Sequence, residues 1–418
     1  MTLAIRHLSA YALLGAPLAM AALPVYVLAP RLYGDELGMS LGLLGAVLFG
    51  ARLIDTLQDP WLGRVVDRWQ QRGWPGLLIA GSLGLAAGFV ALFAPPALSE
   101  AGLAWWLAAS LVLAYTAHSL INVCYLAWGA RISDDPLQRS RITGWREACG
   151  LAGVLLASVL PLLLANQLPA GLARAVFSAL FVLLLLLGVV ALLWRAPLPA
   201  IAARSEQVDW WLPWRNAAFS RLALAFLLNG LALSIAATLA LFFIADVIGL
   251  PQWGGAFLAL YFVGGALCLP LWVWLGNRIG KPDAWLLSML LSCLAFVWAA
   301  LLGAGDGWQY ACVCLLSGLA LGADLALPPA LLADVIPPQQ RGATGSYFGY
   351  WSLLAKLSLA LAAGLALPLL LLLDYQPGGG TGLLALSLVY ALLPCGLKLL
   401  AAGVLLASRR QLQIAEEA

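Results

Sequence analysis

Charged residues are scarce in this 418-residue chain: Asp, Glu, Lys and Arg make up 10% of it, against roughly a quarter in ordinary soluble domains. That scarcity, with 63% hydrophobic residues, excludes a water-soluble globule, because single cores stop growing at about 250–300 residues. The excess apolar surface faces a second apolar solvent, the bilayer. Histidine occurs only twice, and His118 has no second His or Cys at ligand spacing, so it reads as a core histidine. The seven cysteines all fall in apolar stretches and read as packing residues, so no disulfide framework is expected. A phosphate-cradling loop is missing, which argues against ATP-driven transport. No nucleophile, metal or cofactor motif marks an enzyme, and no resident cofactor is implied. A net charge of +3 is too small to suggest a nucleic-acid partner.

What the chain has is long apolar runs. Twelve stretches long enough to span a bilayer are expected, at about 9–30, 39–63, 75–95, 103–127, 142–165, 171–194, 217–247, 252–275, 284–304, 307–334, 342–373 and 381–407. The first is too long for a signal-peptide core and is expected to remain as a span. Twelve spans place both termini on one side. Sixteen of the 22 basic residues fall in the loops of one face and two, Arg31 and Arg174, on the other. The positive-inside rule makes the richer face cytoplasmic, which predicts a multi-pass protein of the cytoplasmic (inner) membrane, taken as a monomer.

The hydrophilic stretch at 196–215 divides the expected spans into two all-helical halves, 1–195 and 216–418. A basic turn follows the second span of each half, Gly63-Arg-Val-Val-Asp67-Arg68 and Gly276-Asn-Arg-Ile-Gly280-Lys281, and Gln138-Arg139 recurs as Gln340-Arg341. The same offset sets Asn122 opposite Asp324. Parallel repeats of this kind suit transporters that alternate access around a midplane site.

Ionisable residues inside spans are costly and mark function. Arg52, Asp55 and Asp59 share one helix face. Two carboxylates one turn apart are relieved by a shared cation or proton, so Asp55 and Asp59 are the candidate Na⁺ or H⁺ pair. Pro60 lacks an N–H, which is expected to leave the Thr56 carbonyl near them as a further oxygen. Arg52 and Lys356 are the candidate charge partners, Lys356 lying too deep to snorkel and expected to meet Asp55 or Asp59. Lys398 stands nearer a helix end and is expected to snorkel to the headgroups. Tyr125, Tyr350 and Trp351 offer stacking faces to a solute, with Asn122, Arg146 and Asp324 as polar contacts. Asp67, Arg68, Asp334 and Arg341 are candidate gate residues at the cytoplasmic end.

The strings Asp55-Thr-Leu-Gln-Asp59-Pro60-Trp-Leu-Gly63, Leu327-Pro-Pro-Ala-Leu-Leu-Ala-Asp334-Val335 and Tyr347-Phe-Gly-Tyr-Trp351 before Lys356 run through both halves in order. In them the chain resembles the glycoside/pentoside/hexuronide:cation symporters (melibiose-permease-like) of the major facilitator superfamily. The resemblance implies that Asp55 and Asp59 bind the cation, that Lys356 lies near that site, and that Arg146 is at the sugar site. Two departures stand out, Ala19 and Asn122, where the family's sugar permeases carry acidic residues. Asp324 is placed to compensate in part. The expected function is cation-coupled symport of a small organic solute, such as a sugar or glycoside. A lysolipid or other amphiphile transporter, and a non-transporting sensor on the same fold, are the alternatives.

Overall fold

The computed structural model describes residues 3–69, 73–199, 209–378 and 380–417. Much of the stretch at 196–215, 200–208, lies outside them. The described chain is all helix: α1 (Ile5–Ala12), α2 (Gly15–Arg31), α3 (Leu41–Leu57), α4 (Asp59–Trp69), α5 (Trp74–Phe93), α6 (Glu100–Ala130), α7 (Pro136–Gln167), α8 (Ala170–Arg195), α9 (Leu212–Arg215), α10 (Ala217–Phe242), α11 (Gly254–Ile279), α12 (Lys281–Phe296), α13 (Gly307–Val335), α14 (Thr344–Leu372) and α15 (Leu383–Glu417). Among the described residues, ten helical rods are long and apolar enough to cross a membrane. The other two stretches expected to span, 9–30 and 39–63, are each divided. Leu13 and Leu14 separate α1 from α2, and Gln58 separates α3 from α4. Pro60 is the second residue of α4, in the first turn, where its missing N–H leaves no gap. Gln58 still donates to the Ile54 carbonyl at 3.1 Å, so the rod bends in register. The expected uninterrupted helix through Pro60 is thus replaced by a stop and restart.

Helix starts follow local chemistry. The Asp135 carboxylate accepts from Leu137 N at 2.9 Å ahead of α7, and Pro136 occupies the first helical position. Asn216 caps α10 by accepting from Ala218 N at 3.0 Å, and its amide donates to the Val335 carbonyl at 2.8 Å.

Two features recur between the halves. A π-helical turn, Leu32–Glu36, follows α2, and a second, Phe243–Val247, follows α10. Gly73 stands before α5 with φ 90° and Gly280 before α12 with φ 89°, a region that L side chains avoid. These are equivalent places in the two sequence repeats.

The helices gather into two units. One holds residues up to Val208 together with Pro338–Leu353, and the other Asp209–Pro337 with residues from Leu354 onward. The first ten residues of α14 therefore cluster with the first unit, a division that a cut at 196–215 leaves out. In the first unit Phe89 stacks on Phe181 with centroids 4.0 Å apart. In the second, Phe243 stacks on Tyr390 at 4.3 Å, and the Tyr390 and Tyr310 hydroxyls meet at 2.7 Å. Many large apolar side chains point outward, among them Phe49, Trp105, Trp194, Leu267 and Leu372, which a bilayer covers and water would not. All seven cysteines are free, and Cys312 is exposed rather than packed.

Candidate functional site

In the first unit the break between α3 and α4 carries both acids. Asp55 is 3% exposed and Asp59 is fully buried. Asp55 Oδ1 accepts from the Ser119 hydroxyl of α6 at 3.1 Å, and Arg52 reaches Oδ2 at 3.4 Å. Thr56 donates its hydroxyl to the Arg52 carbonyl at 2.9 Å, which fixes the rotamer and leaves oxygen lone pairs for a ligand. Gln58 at the break accepts from Thr116 at 2.8 Å. Ser119 and Thr116 escaped the sequence reading, because a hydroxyl in an apolar helix carries no signal until a neighbouring carboxylate or amide is known.

A second polar group in this unit surrounds Arg146. Its guanidinium pairs with Glu147, the adjacent residue. Two long side chains at i and i+1 can converge because each spans several ångströms from its Cα. Arg146 lies beside the hydroxyls of Tyr11 and Tyr125. Each of these tyrosines donates to the other's carbonyl, Tyr11 at 3.1 Å and Tyr125 at 2.7 Å, which locks α1 to α6. Asn122, one turn beyond Ser119, is half-buried. His118 contacts the Leu18 carbonyl at 3.1 Å and so ties α6 to α2. Tyr350 is half-buried and Trp351 buried on the first unit's part of α14; Lys356 is half-buried on the second unit's part.

The end of α4 is a clamp. Asp67 is buried and accepts three hydrogen bonds from the first turn of α14: Gly345 N on Oδ1 at 2.6 Å, Ser346 N on Oδ2 at 2.8 Å and the Ser346 hydroxyl on Oδ2 at 2.6 Å. A carboxylate thereby satisfies backbone donors that a helix N-terminus leaves open. The backbones touch here, since a Cβ on Gly345 would lie 2.5 Å from the Gly63 carbonyl oxygen. Burial raises the Asp67 carboxyl to about 7, against the Ser346, Gly345 and Arg131 interactions that lower it. The proton has a place to go, because the 2.6 Å contact with the Ser346 hydroxyl works with either oxygen as donor. A carboxyl raised in the folded state contributes stability at acid pH that is lost as pH rises through about 7. The melting temperature is therefore expected to fall as pH rises from about 5 to about 7 and to level off above, with a slope that Asp67→Ala flattens; calorimetry of both proteins checks it. Arg341 pairs with Asp134 at 2.6 Å in the same unit. Arg68, a candidate gate residue, is instead exposed on the last turn of α4.

The second unit holds two buried ion pairs. Asp334, expected at an interface or gate, is enclosed with Lys281: Nζ and Oδ2 are 2.6 Å apart and both side chains have no exposure. Lys398 does not snorkel. It is 5% exposed and meets Asp324 Oδ2 at 2.7 Å. Its azimuth on α15 points it at α13, and the pair offsets desolvation that a lone ammonium could not bear. Asp324 Oδ1 also accepts from Asn229 at 3.0 Å and from the Trp285 indole at 2.8 Å.

Among the described residues no group of three or more His, Cys, Asp or Glu could hold a metal ion.

Comparison with known proteins bears on the family and the fold. Residues 8–408 match the family described as MFS/sugar transport protein. The chain is 28% identical over 238 residues to the inner membrane symporter YicJ of Escherichia coli (strain K12), covering 54% of this chain and 51% of that protein. It is 28% identical over 141 residues to the putative glycoside/cation symporter YagG of the same strain, covering 33% of this chain and 31% of that one. These matches thus span about half or less of the relatives' length. The fold is similar to that of a bacterial homologue of the iron transporter ferroportin in its outward-facing state, with TM-score 0.74, 18% identity and 96% and 98% of the two chains covered. It is also similar to the E. coli fucose:proton symporter, with TM-score 0.67, 13% identity and 94% and 98% covered. The chain belongs to the family described as MFS/sugar transport protein, within the major facilitator superfamily.

Proposed function

We propose that the chain is a cation-coupled symporter of a small organic solute, with twelve spans and both termini on the cytoplasmic side of the inner membrane. The observation that carries the reading is the pair of buried carboxylates, Asp55 and Asp59, one turn apart at the α3–α4 break. Na⁺ or H⁺ neutralises the pair, the solute binds, and the loaded carrier changes access. A charge left uncompensated at the midplane disfavours that step, which is how the cation gradient is coupled to the solute. Asp67 on the first turn of α14, with Arg341 on Asp134, is the gate that must open in each cycle. Arg146, Tyr125, Asn122, Asp324, Tyr350 and Trp351 are the candidate solute contacts, with Lys356 as the charge partner that the family resemblance supplies.

YagG is named as a putative glycoside/cation symporter, which favours a glycoside as solute. The amphiphile reading draws on Ala19 and Asn122: without those two carboxylates a polyol loses its charged acceptors. A thermal-shift screen of purified protein decides between them, with glycosides and lysolipids each tested in Na⁺, in Li⁺ and across a pH step. One class is expected to stabilise the protein in the presence of a single coupling cation. Stabilisation independent of any cation would overturn the coupling.

A further inference from the structure

The second unit carries a half-open cavity of about 220 Å³ that the Asp55 and Asp59 reading does not use. Its walls are Ala236 and Ala240 of α10, Tyr261 of α11, Phe296 of α12, Tyr310 of α13 and Tyr390 of α15. The one charged side chain on the wall is Lys398. Its ammonium donates to Asn229 Oδ1 at 2.8 Å and to Asp324 Oδ2 at 2.7 Å, while Asp324 Oδ1 is held by Asn229 and the Trp285 indole. An ammonium has three N–H groups, two of which these bonds use. A purely structural ion pair has no need to border a space of this size.

The wall chemistry selects the ligand. Ser292 and Ser317 also line the cavity, but most of its wall is alkyl and ring face, so a polyol would leave many of its hydroxyls without partners. A ring or branched apolar body fills the same space well, and a carboxylate fits the ammonium. The Lys398–Asp324 pair is neutral overall, so an entering carboxylate adds one buried negative charge, which a proton must accompany. The titratable groups facing the pair are Tyr261 of α11, Cys293 of α12, Tyr310 and Cys314 of α13, and Tyr390 and Cys395 of α15; α10 presents the neutral Asn229. None of these is normally charged near neutral pH, which leaves Asp324 to take the proton.

We propose that this cavity binds a small carboxylic acid with an apolar, ring-sized body, taken up as the carboxylate together with one proton. Lys398 passes from Asp324 to the ligand carboxylate, and the proton comes to rest on Asp324 Oδ2 while Oδ1 keeps its Asn229 and Trp285 donors. No covalent bond other than O–H is formed. The proposal stands apart from the cation site, which the test exploits.

Phenylacetate is the probe, with phenylacetamide as its uncharged match, in calorimetric titrations of the purified full chain. Phenylacetate is expected to bind at least about tenfold more tightly than the amide, with affinity rising toward tenfold per unit as pH falls from 8 to 6 and about one proton taken up per ligand. Lys398→Gln is expected to abolish binding. Ala236→Phe, which fills the cavity and leaves the Asp324 network intact, is expected to abolish it too and decides the matter if Lys398→Gln does not fold. Asp59→Asn is expected to leave phenylacetate binding unchanged, so this proposal and the cation site fail separately. Equal binding of acid and amide, binding independent of pH, binding retained in Ala236→Phe, or no binding at millimolar phenylacetate would each overturn it.

Discussion

Asp59→Asn is expected to reduce cation-stimulated uptake by on the order of 100-fold or more, while the protein remains folded and in the membrane. The magnitude follows from the attraction lost between a bound cation and a buried carboxylate at ~4 Å, several kcal/mol at an effective dielectric near 20. The fold survives because the amide keeps the volume of the acid and removes a charge that is expensive to bury at a fully enclosed position. In the absence of cation the variant is expected to melt at the same temperature as the native protein or higher. The rise in melting temperature that the coupling ion gives the native protein is expected to vanish. Asp55→Asn is a less selective test, since it also changes the acceptor of Ser119 and the partner of Arg52. Uptake assays in vesicles with an imposed Na⁺ or pH gradient read the result. Undiminished gradient-driven uptake by Asp59→Asn would remove Asp59 from the coupling site.

The spacing of Asp55 and Asp59 was legible in the sequence because it depends on local periodicity, whereas the basic turn expected at Gly63–Arg68 is the continuing helix α4 and the chain breaks only later, before α5. The partners were not legible. Lys398 lies about eleven residues from Arg409, a distance from which it could snorkel, and only its azimuth, facing Asp324 from 74 residues away, decides otherwise. Lys281 looked like one more basic loop residue until Asp334, 53 residues on, closed over it. Sequence gives depth along a helix; it does not say which neighbour shares that depth. The same holds for Arg146, whose pairing with Glu147 rests on rotamers rather than on helical phase. The break at Gln58 was foreshadowed by Pro60, but the outcome turned on where the second helix begins. Starting at Asp59, it takes the proline into its first turn, where a missing N–H costs the new helix nothing.

Gly349→Ala is expected to cost far more than a methyl added at an open position of α14, and to reduce transport with it. A Cβ at Gly349 would lie 2.6 Å from the Asp59 carbonyl oxygen and 3.2 Å from the Cα atoms of Pro60 and Gly63. All of these are backbone, so no side chain can swing away. Either α14 moves from α4 or the backbone strains, and overpacking of this kind typically costs about 1–3 kcal/mol. The crossing also sets the register in which Gly345 N and Ser346 N reach Asp67, so a shift of a few tenths of an ångström at Gly349 lengthens those bonds one turn away. A weaker clamp biases the carrier toward whichever state lacks it. Uptake is therefore expected to fall even where the variant is fully expressed. Gly364→Ala, on the same helix with nothing within 4 Å of the added Cβ, is the control. It replaces glycine in a helix interior by the best helix former and is expected to be neutral or stabilising by up to about 1 kcal/mol. Melting temperatures and uptake rates of the two variants, measured side by side, test the crossing. If Gly349→Ala behaves like Gly364→Ala, the close approach of α4 and α14 does not constrain the transport cycle.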